Sequence, residues 1–143
     1  MTIRKMTPAD AARAAQIERE TFSLPWSENA FGDAVRDENA LFLAADENGL
    51  VGYILMCLTP PEGEITNVAV TEACRGRGIG GRLVGAMQEE AAKHGIDQIY
   101  LEVRFGNAAA IHVYESAGFR EIGVRRGFYE FPREDARVMK WEK

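Results

Sequence analysis

The chain has 143 residues, 46% of them hydrophobic and 27% charged, and carries a net charge of −5. That length suits one domain with a proper core and is short for two, and no apolar run approaches the roughly 18 residues of a membrane span. The acidic balance argues against nucleic acid as a main partner. A local set of Arg75, Arg77 and Arg82 suits one phosphorylated cofactor, with a cationic substrate drawn elsewhere.

The N-terminal Met1-Thr2-Ile3-Arg4-Lys5 lacks the apolar centre of a secretion signal and reads as a strand over 2–6. Cys57 and Cys74 sit in no metal or redox spacing, so the expectation is free thiols, a reducing cytoplasm and no metal. Cys74 reads as a small apolar filler. Thr7-Pro8-Ala9-Asp10 opens a helix, with Thr7 to cap and Pro8 at the first position. Ala12, Ala15, Ile17 and Phe22 give its apolar side. Leu24-Pro25-Trp26-Ser27 breaks it, and Ser27 caps a second helix through about Asp37 that buries Ala30, Phe31 and Ala34.

Two apolar runs follow, Leu41 to Ala45 and Leu50 to Leu58, split by the turn Asp46-Glu47-Asn48-Gly49. Pro60-Pro61-Glu62-Gly63 makes another turn into a third antiparallel strand, Glu64 to Val70. After a glycine-rich loop, Ile79, Leu83, Met87 and Ala91 recur every four residues, which predicts an amphipathic helix ending near Gly95. Ile99 to Val103 is then a strand, parallel to Glu64–Val70 through a right-handed crossover. Asn107 caps a helix over Ala108 to Ala117, with Gly118 in its left-handed C-terminal position. Strands at about 119–126 and 135–142 close an α/β sheet of mixed direction, in the order β-α-α-β-β-β-α-β-α-β-β. No repeat or linker interrupts it, so residues 1–143 are expected to form one domain.

The glycine loop admits three readings. Gly76-Arg77-Gly78-Ile79-Gly80-Gly81 matches the G-x-G-x-x-G dinucleotide fingerprint, with a strand before it and Glu102 ending the next strand. Five residues separate Val70 from Gly76, however, where that fingerprint turns directly off its strand. Only 62 residues follow Gly81, too few to finish a doubly wound sheet, and the chain before the loop reads antiparallel. A triphosphate loop would need Gly-Lys-Ser/Thr, which is absent. The third reading is Arg75-x-x-Gly78-x-Gly80, a loop whose small residues let backbone donors approach phosphate oxygens at a helix start.

That pattern resembles the R/Q-x-x-G-x-G/A loop of the GNAT acyltransferases, and the resemblance covers nearly the whole chain. It implies the GNAT fold, a mixed and mostly antiparallel sheet with helices on both faces. It further implies acetyl-CoA as co-substrate, held by the loop residues Arg75, Gly76, Arg77, Gly78, Ile79, Gly80 and Gly81 and by the preceding Val68, Ala69 and Val70. Leu101-Glu102-Val103-Arg104, Asn107 to Phe119, Pro25-Trp26-Ser27 and Arg133-Glu134-Asp135-Ala136 are similar to the ribosomal-protein alanine N-acetyltransferases, the RimI group. The resemblance implies Glu102 as general base, Tyr114 as general acid and Asn107 as a further cofactor contact. From the residues alone, Glu102 is a solvated strand charge and Tyr114 a core aromatic. Strand alternation does set Glu102 opposite Ile99, Leu101 and Val103, and Tyr114 shares a helix face with Ala110.

The implied activity is transfer of acetyl from acetyl-CoA to a protein N-terminal amine, that of the N-terminal alanine of the eighteenth small-subunit ribosomal protein. Acetylation of another amine, such as a lysine side chain or polyamine, and a non-catalytic acyl-CoA module are the rival readings. Gly76 stands where a second basic residue is common, and Phe128-Tyr129 where two tyrosines are frequent. His94 and His112 read as solvated helix positions, and Trp26 as a packing residue.

Overall fold

Alternating apolar positions build one seven-stranded sheet whose strands, counted along the chain, stand in the order first, second, third, fourth, fifth, seventh, sixth. The computed structural model describes residues 1–143. The strands are β1 (Thr2–Lys5), β2 (Ala40–Asp46), β3 (Leu50–Thr59), β4 (Glu62–Val70), β5 (Gln98–Arg104), β6 (Arg120–Tyr129) and β7 (Glu134–Glu142). The helices are α1 (Ala11–Thr21), α2 (Glu28–Arg36), α3 (Ile79–Lys93) and α4 (Ala108–Ser116). The element order is the expected one, and β4–β5 is the parallel pair among antiparallel neighbours.

Each face of the sheet has its own core. On one face, Ile79, Leu83, Val84, Met87 and Ala91 of α3 pack with Tyr114 of α4 against Ile54, Met56, Ile65, Ile99, Leu101 and Met139. On the other, Ala11, Ala14, Ala15 and Ile17 of α1 and Phe31 of α2 pack against Phe42, Ala44, Tyr53, Leu55 and Ala69. Ser27 Oγ accepts from the Ala30 N–H at 3.1 Å and caps α2. Asn107 Oδ1 does the same for Ala110 at 3.1 Å at the start of α4. Gly118 is left-handed (φ 95°), and the Phe119 N–H returns to the Tyr114 carbonyl at 3.0 Å.

Several boundaries differ from the sequence expectation. The alanines of α1 leave its phase open, and the buried stripe is Ala11, Ala14, Ala15, Ile17 and Glu18. Ala12 faces outward and Phe22 lies past the helix end. β4 begins at Glu62, because Glu62 and Gly63 already pair with Thr59 and Leu58; the turn is confined to Pro60-Pro61. β6 runs on to Tyr129, and β7 inserts between β5 and β6.

One irregularity positions the site. β4 pairs with β5 only from Glu62–Gln98 to Ile65–Leu101. A register shift opposite Leu55/Met56 leaves Thr66 as an extra residue and bends β4, a β-bulge. Beyond it β4 stays paired with β3 as far as Val70–Gly52, while β5 pairs with β7. The sheet therefore opens between the C-terminal halves of β4 and β5.

Candidate active site

The glycine loop leads into one end of this opening. Gly76 (φ 78°) and Gly78 (φ 79°) are both left-handed, a conformation that favours glycine, and α3 starts directly after Gly78 with no side-chain cap. No backbone carbonyl or side chain accepts from the amides of residues 76–81. A Cβ at Gly76, Gly78 or Gly81 would meet nothing within 4 Å, so the ground over these amides is open. A ring of unpaired donors at the positive end of a four-turn helix is a fit for phosphate oxygens. Ile79 contributes only its backbone, since its side chain is buried in the α3 core.

The opening itself offers a second set of backbone groups. The Thr71 N–H donates to Val51 O at 2.8 Å, so Thr71 faces β3, and by strand alternation Ala69 and Asn67 do too. Val68 and Val70 then turn their N–H and C=O toward the side where β5 has left. Ala69 is thus spent on the ladder, and only Val68 and Val70 of the expected three can meet a ligand through their backbones. Arg75 Nε confirms the direction by donating to Val70 O at 3.0 Å. The three arginines do not gather. Arg75 turns back to Val70 and Thr21, Arg77 pairs with Glu47 at 2.6 Å on the β2–β3 turn, and Arg82 lies exposed on α3.

Glu102 lies beside this opening, and Tyr114 is buried in the core on the other face of the sheet. Glu102 follows Leu101, the last β5 residue paired with β4, and points to the α1 face, away from Leu101 and Val103. Burial, then the like charge of Glu64 on β4, raises its carboxyl pKa above the ordinary glutamate value, against the pull of Arg125 at 3.5 Å. Tyr114 is 5% exposed, packed on Phe119 at 5.8 Å between ring centroids. Its phenol makes no hydrogen bond, and burial, followed by Tyr129, holds it well above the usual phenol range. Such a group stays protonated at neutral pH and can give a proton but not take one. Asn107 Oδ1 is engaged in capping α4, leaving its amide nitrogen as the free end.

Three features escaped the sequence reading. Tyr129 is pushed up to about 12 by burial and then by Glu102, and Arg104 lies over its ring at 4.5 Å from the centroid. Arg104 also pairs with Glu134 at 3.2 Å, whose other oxygen accepts from the Gly106 N–H at 2.7 Å, so β5 anchors the β6–β7 turn. The third is a buried carboxylate, Glu18, 3% exposed on the apolar face of α1. It accepts from the Tyr53 hydroxyl, from the Trp26 N–H at 3.2 Å and from Asn67 Nδ2 at 3.3 Å. Heptad-like spacing from Ala11 was the one available signal for Glu18.

A mixed sheet opened between a parallel pair, a donor-lined helix start after Arg75-x-x-Gly78-x-Gly80, and an acid and a phenol on either face define an acyltransferase of the acyl-CoA type. Residues 10–119 match the model of the acetyltransferase (GNAT) family. The chain belongs to that family and is an N-acetyltransferase. It is 37% identical, over 98% of its length and 91% of the relative's, to the N-alpha-acetyltransferase RimI of Mycobacterium tuberculosis. An uncharacterized protein of Mycobacterium leprae is 40% identical over 99% of this chain, which spans only 41% of that longer protein. The crystal structure of the ribosomal-protein-S18-alanine N-acetyltransferase from Escherichia coli superposes with a TM-score of 0.89 at 32% identity, covering 99% of this chain and 92% of that one.

Proposed function

We propose that the chain acetylates the N-terminal α-amine of a ribosomal protein, the alanine of the eighteenth small-subunit protein, in the cytoplasm. The observation that carries the reading is the coincidence of Glu102 with the point where β4 and β5 part, beside the free backbone of Val68 and Val70. The two relatives named for N-terminal acetylation support the choice of amine. The amides of 76–81 and the backbones of Val68 and Val70 would hold acetyl-CoA, which supplies a thioester carbonyl carbon and a thiolate leaving group. Arg75 and Arg77 add charge near the loop, and the amide nitrogen of Asn107 is the further contact.

On this reading Glu102 takes a proton from the attacking amine as the C–N bond forms. An α-amine titrates near 7.7–8.0, against about 10.4 for lysine, so a carboxylate lifted above its ordinary value is a sufficient base near neutrality. Tyr114, kept protonated by burial, gives its phenolic proton to the sulfur as the C–S bond breaks. A Val68 or Val70 N–H polarises the carbonyl as a one-donor oxyanion site. No step calls on a thiol: Cys57 lies on β3 opposite Glu64, and Cys74 packs at the edge of the α3 core.

Incubation with acetyl-CoA of a peptide library and of purified ribosomal proteins, followed by mass spectrometry, tests this. The expected product is +acetyl on N-terminal alanine; modification confined to lysine side chains refutes it. Glu102→Gln and Tyr114→Phe are each expected to lower turnover roughly 100-fold or more with acetyl-CoA still bound. Unchanged turnover in both removes the residue assignment.

A further inference from the structure

On the α1 face of the sheet, a groove of about 290 Å³ opens between α2 and the strands β2 and β3. Its apolar lining is Trp26, Ala30, Ala34 and the buried Leu55, and its charged lining is Asp33 and Asp37, both exposed. Trp26 is a fixed wall. Its N–H donates to the buried Glu18 carboxylate at 3.2 Å, and its ring packs on Phe31 at 5.5 Å between centroids. Neither aspartate pairs with a cation. Arg36, on the same helix, gives its guanidinium to the Gly32 carbonyl at 2.9 Å instead. The Asp37 carboxylate accepts the Asn39 N–H at 2.8 Å through one oxygen and leaves the other open. The helix gains nothing from the pair. The two carboxylates repel each other one turn apart, and both stand toward the negative end of α2.

The sheet register ties this groove to Glu102. Cys57, also in the lining, stands opposite Glu64 across β3 and β4. Glu64 stands opposite Tyr100 across β4 and β5, two residues before Glu102. Burial first, then Glu64 and Asp37, raise the Cys57 thiol against the Thr66 hydroxyl, so the carboxylates of α2 and β4 both act at the groove's inner end. Glu64 acts in the same sense on Glu102. The groove and Glu102 therefore share one face of the sheet, two strand spacings apart, or about 10 Å. An extended peptide rises about 3.3 Å per residue. With its α-amine at Glu102 and its chain crossing β4 toward β3, its second or third side chain falls over the groove.

We propose that this groove takes the side chain of a lysine or arginine at the second or third residue of the acceptor peptide. The proposal rests on the N-terminal reading of the site. The apolar stem of such a side chain lies against Ala30, Ala34 and Leu55, and its charged end meets Asp33 and Asp37. The Trp26 ring adds its face to the same cation. The lining suits this occupant above others. An apolar side chain would take water from two carboxylates and give them no partner, and an acidic one would be repelled. No third ligand of the His, Cys, Asp or Glu kind completes a metal site with the aspartates.

The test uses peptides opening Ala-Arg-Gly, Ala-Gly-Arg, Ala-Gly-Gly and Ala-Glu-Gly, arginine being chosen because it brings no second amine to acetylate. Wild type is compared with the double variant Asp33→Asn, Asp37→Asn and with Asp33→Lys. In wild type, kcat/KM for the better arginyl peptide is expected to exceed that for Ala-Gly-Gly roughly 5- to 30-fold, through KM, and the gap is expected to shrink at high salt. The double variant is expected to bring that ratio to within about twofold of one, and Asp33→Lys to favour Ala-Glu-Gly over both arginyl peptides. Acetyl-CoA affinity within about twofold of wild type checks that each variant is folded. The same preference in wild type and the double variant, or no preference in wild type, overturns the proposal. Calorimetric titration of the same peptides reads the groove without the chemistry. Arginyl peptides that bind wild type more tightly than the double variant, yet are not acetylated on alanine, uphold the groove and sink the N-terminal reading.

Discussion

Replacing Gly78 by alanine isolates backbone conformation from crowding. Gly78 has φ 79°, and a Cβ there would meet nothing within 4 Å, so the added methyl clashes with no protein atom. What remains is the left-handed penalty for an L side chain, about 1–2 kcal/mol. For a domain of this size each kcal/mol lowers Tm by roughly 3–5 °C, so the variant should melt about 3–10 °C below wild type. The methyl would also stand over the unpaired amides of the loop. Displacing one charge-assisted phosphate hydrogen bond weakens acetyl-CoA binding by roughly 10- to 100-fold. Gly81→Ala is the control: its Cβ also meets nothing within 4 Å, but Gly81 is helical and not left-handed. It should lose no stability and gain up to about 1 kcal/mol from helix propensity. Thermal melts with and without acetyl-CoA, plus titration calorimetry, read both effects. Equal melting of Gly78→Ala and wild type, with equal acetyl-CoA affinity, would refute the reasoning.

Glu64→Gln tests the carboxylate pair. Glu102 is raised first by burial and second by Glu64, and as a base it works ionised, so kcat/KM climbs with pH through its pKa. Removing the neighbouring charge lowers that pKa, and the acid limb of the pH–rate profile should move to lower pH; an upward or absent shift contradicts the assignment. Phe31→Ala probes the α1–α2 core. Phe31 is fully buried between Trp26, Phe42 and Tyr53, with ring centroids 5.5, 5.8 and 5.3 Å away. Its loss should cost about 3–5 kcal/mol in urea unfolding without altering acetyl-CoA affinity of the folded protein.

Much of the architecture was legible because local rules agreed with one another. The i, i+4 stripe from Ile79 to Ala91, the caps at Ser27 and Asn107 and the glycine at 118 are all one-segment signals. Glu102 was placeable because alternation in β5 is strict. The misses share a cause, which is that they depend on partners far along the chain. Glu18 is buried because Tyr53 and Asn67, 35 and 49 residues away, supply its donors. Spacing from Ala11 marks the position on α1, but no helix pattern supplies those donors. The bulge at Thr66 is visible only in the β3–β4 register, and the same register decides that Ala69 turns its backbone to β3 while Val68 and Val70 do not. The arginines looked like a cluster in sequence, but Arg77 is drawn off by Glu47, 30 residues earlier.

The insertion of β7 between β5 and β6 has a consequence for how the protein is made. Along its upper half, where Glu102 sits, β5 has left β4 and is paired only with β7, with Glu102 opposite Val138 and Arg104 opposite Ala136. β7 is translated after every other strand. A nascent chain that has emerged as far as the glycine loop and α3 can thus shape the phosphate cradle early. The half of β5 that bears the acid gains its strand partner only when residues 134–142 emerge. The site should therefore mature in two stages, with cofactor recognition able to precede chemistry during synthesis.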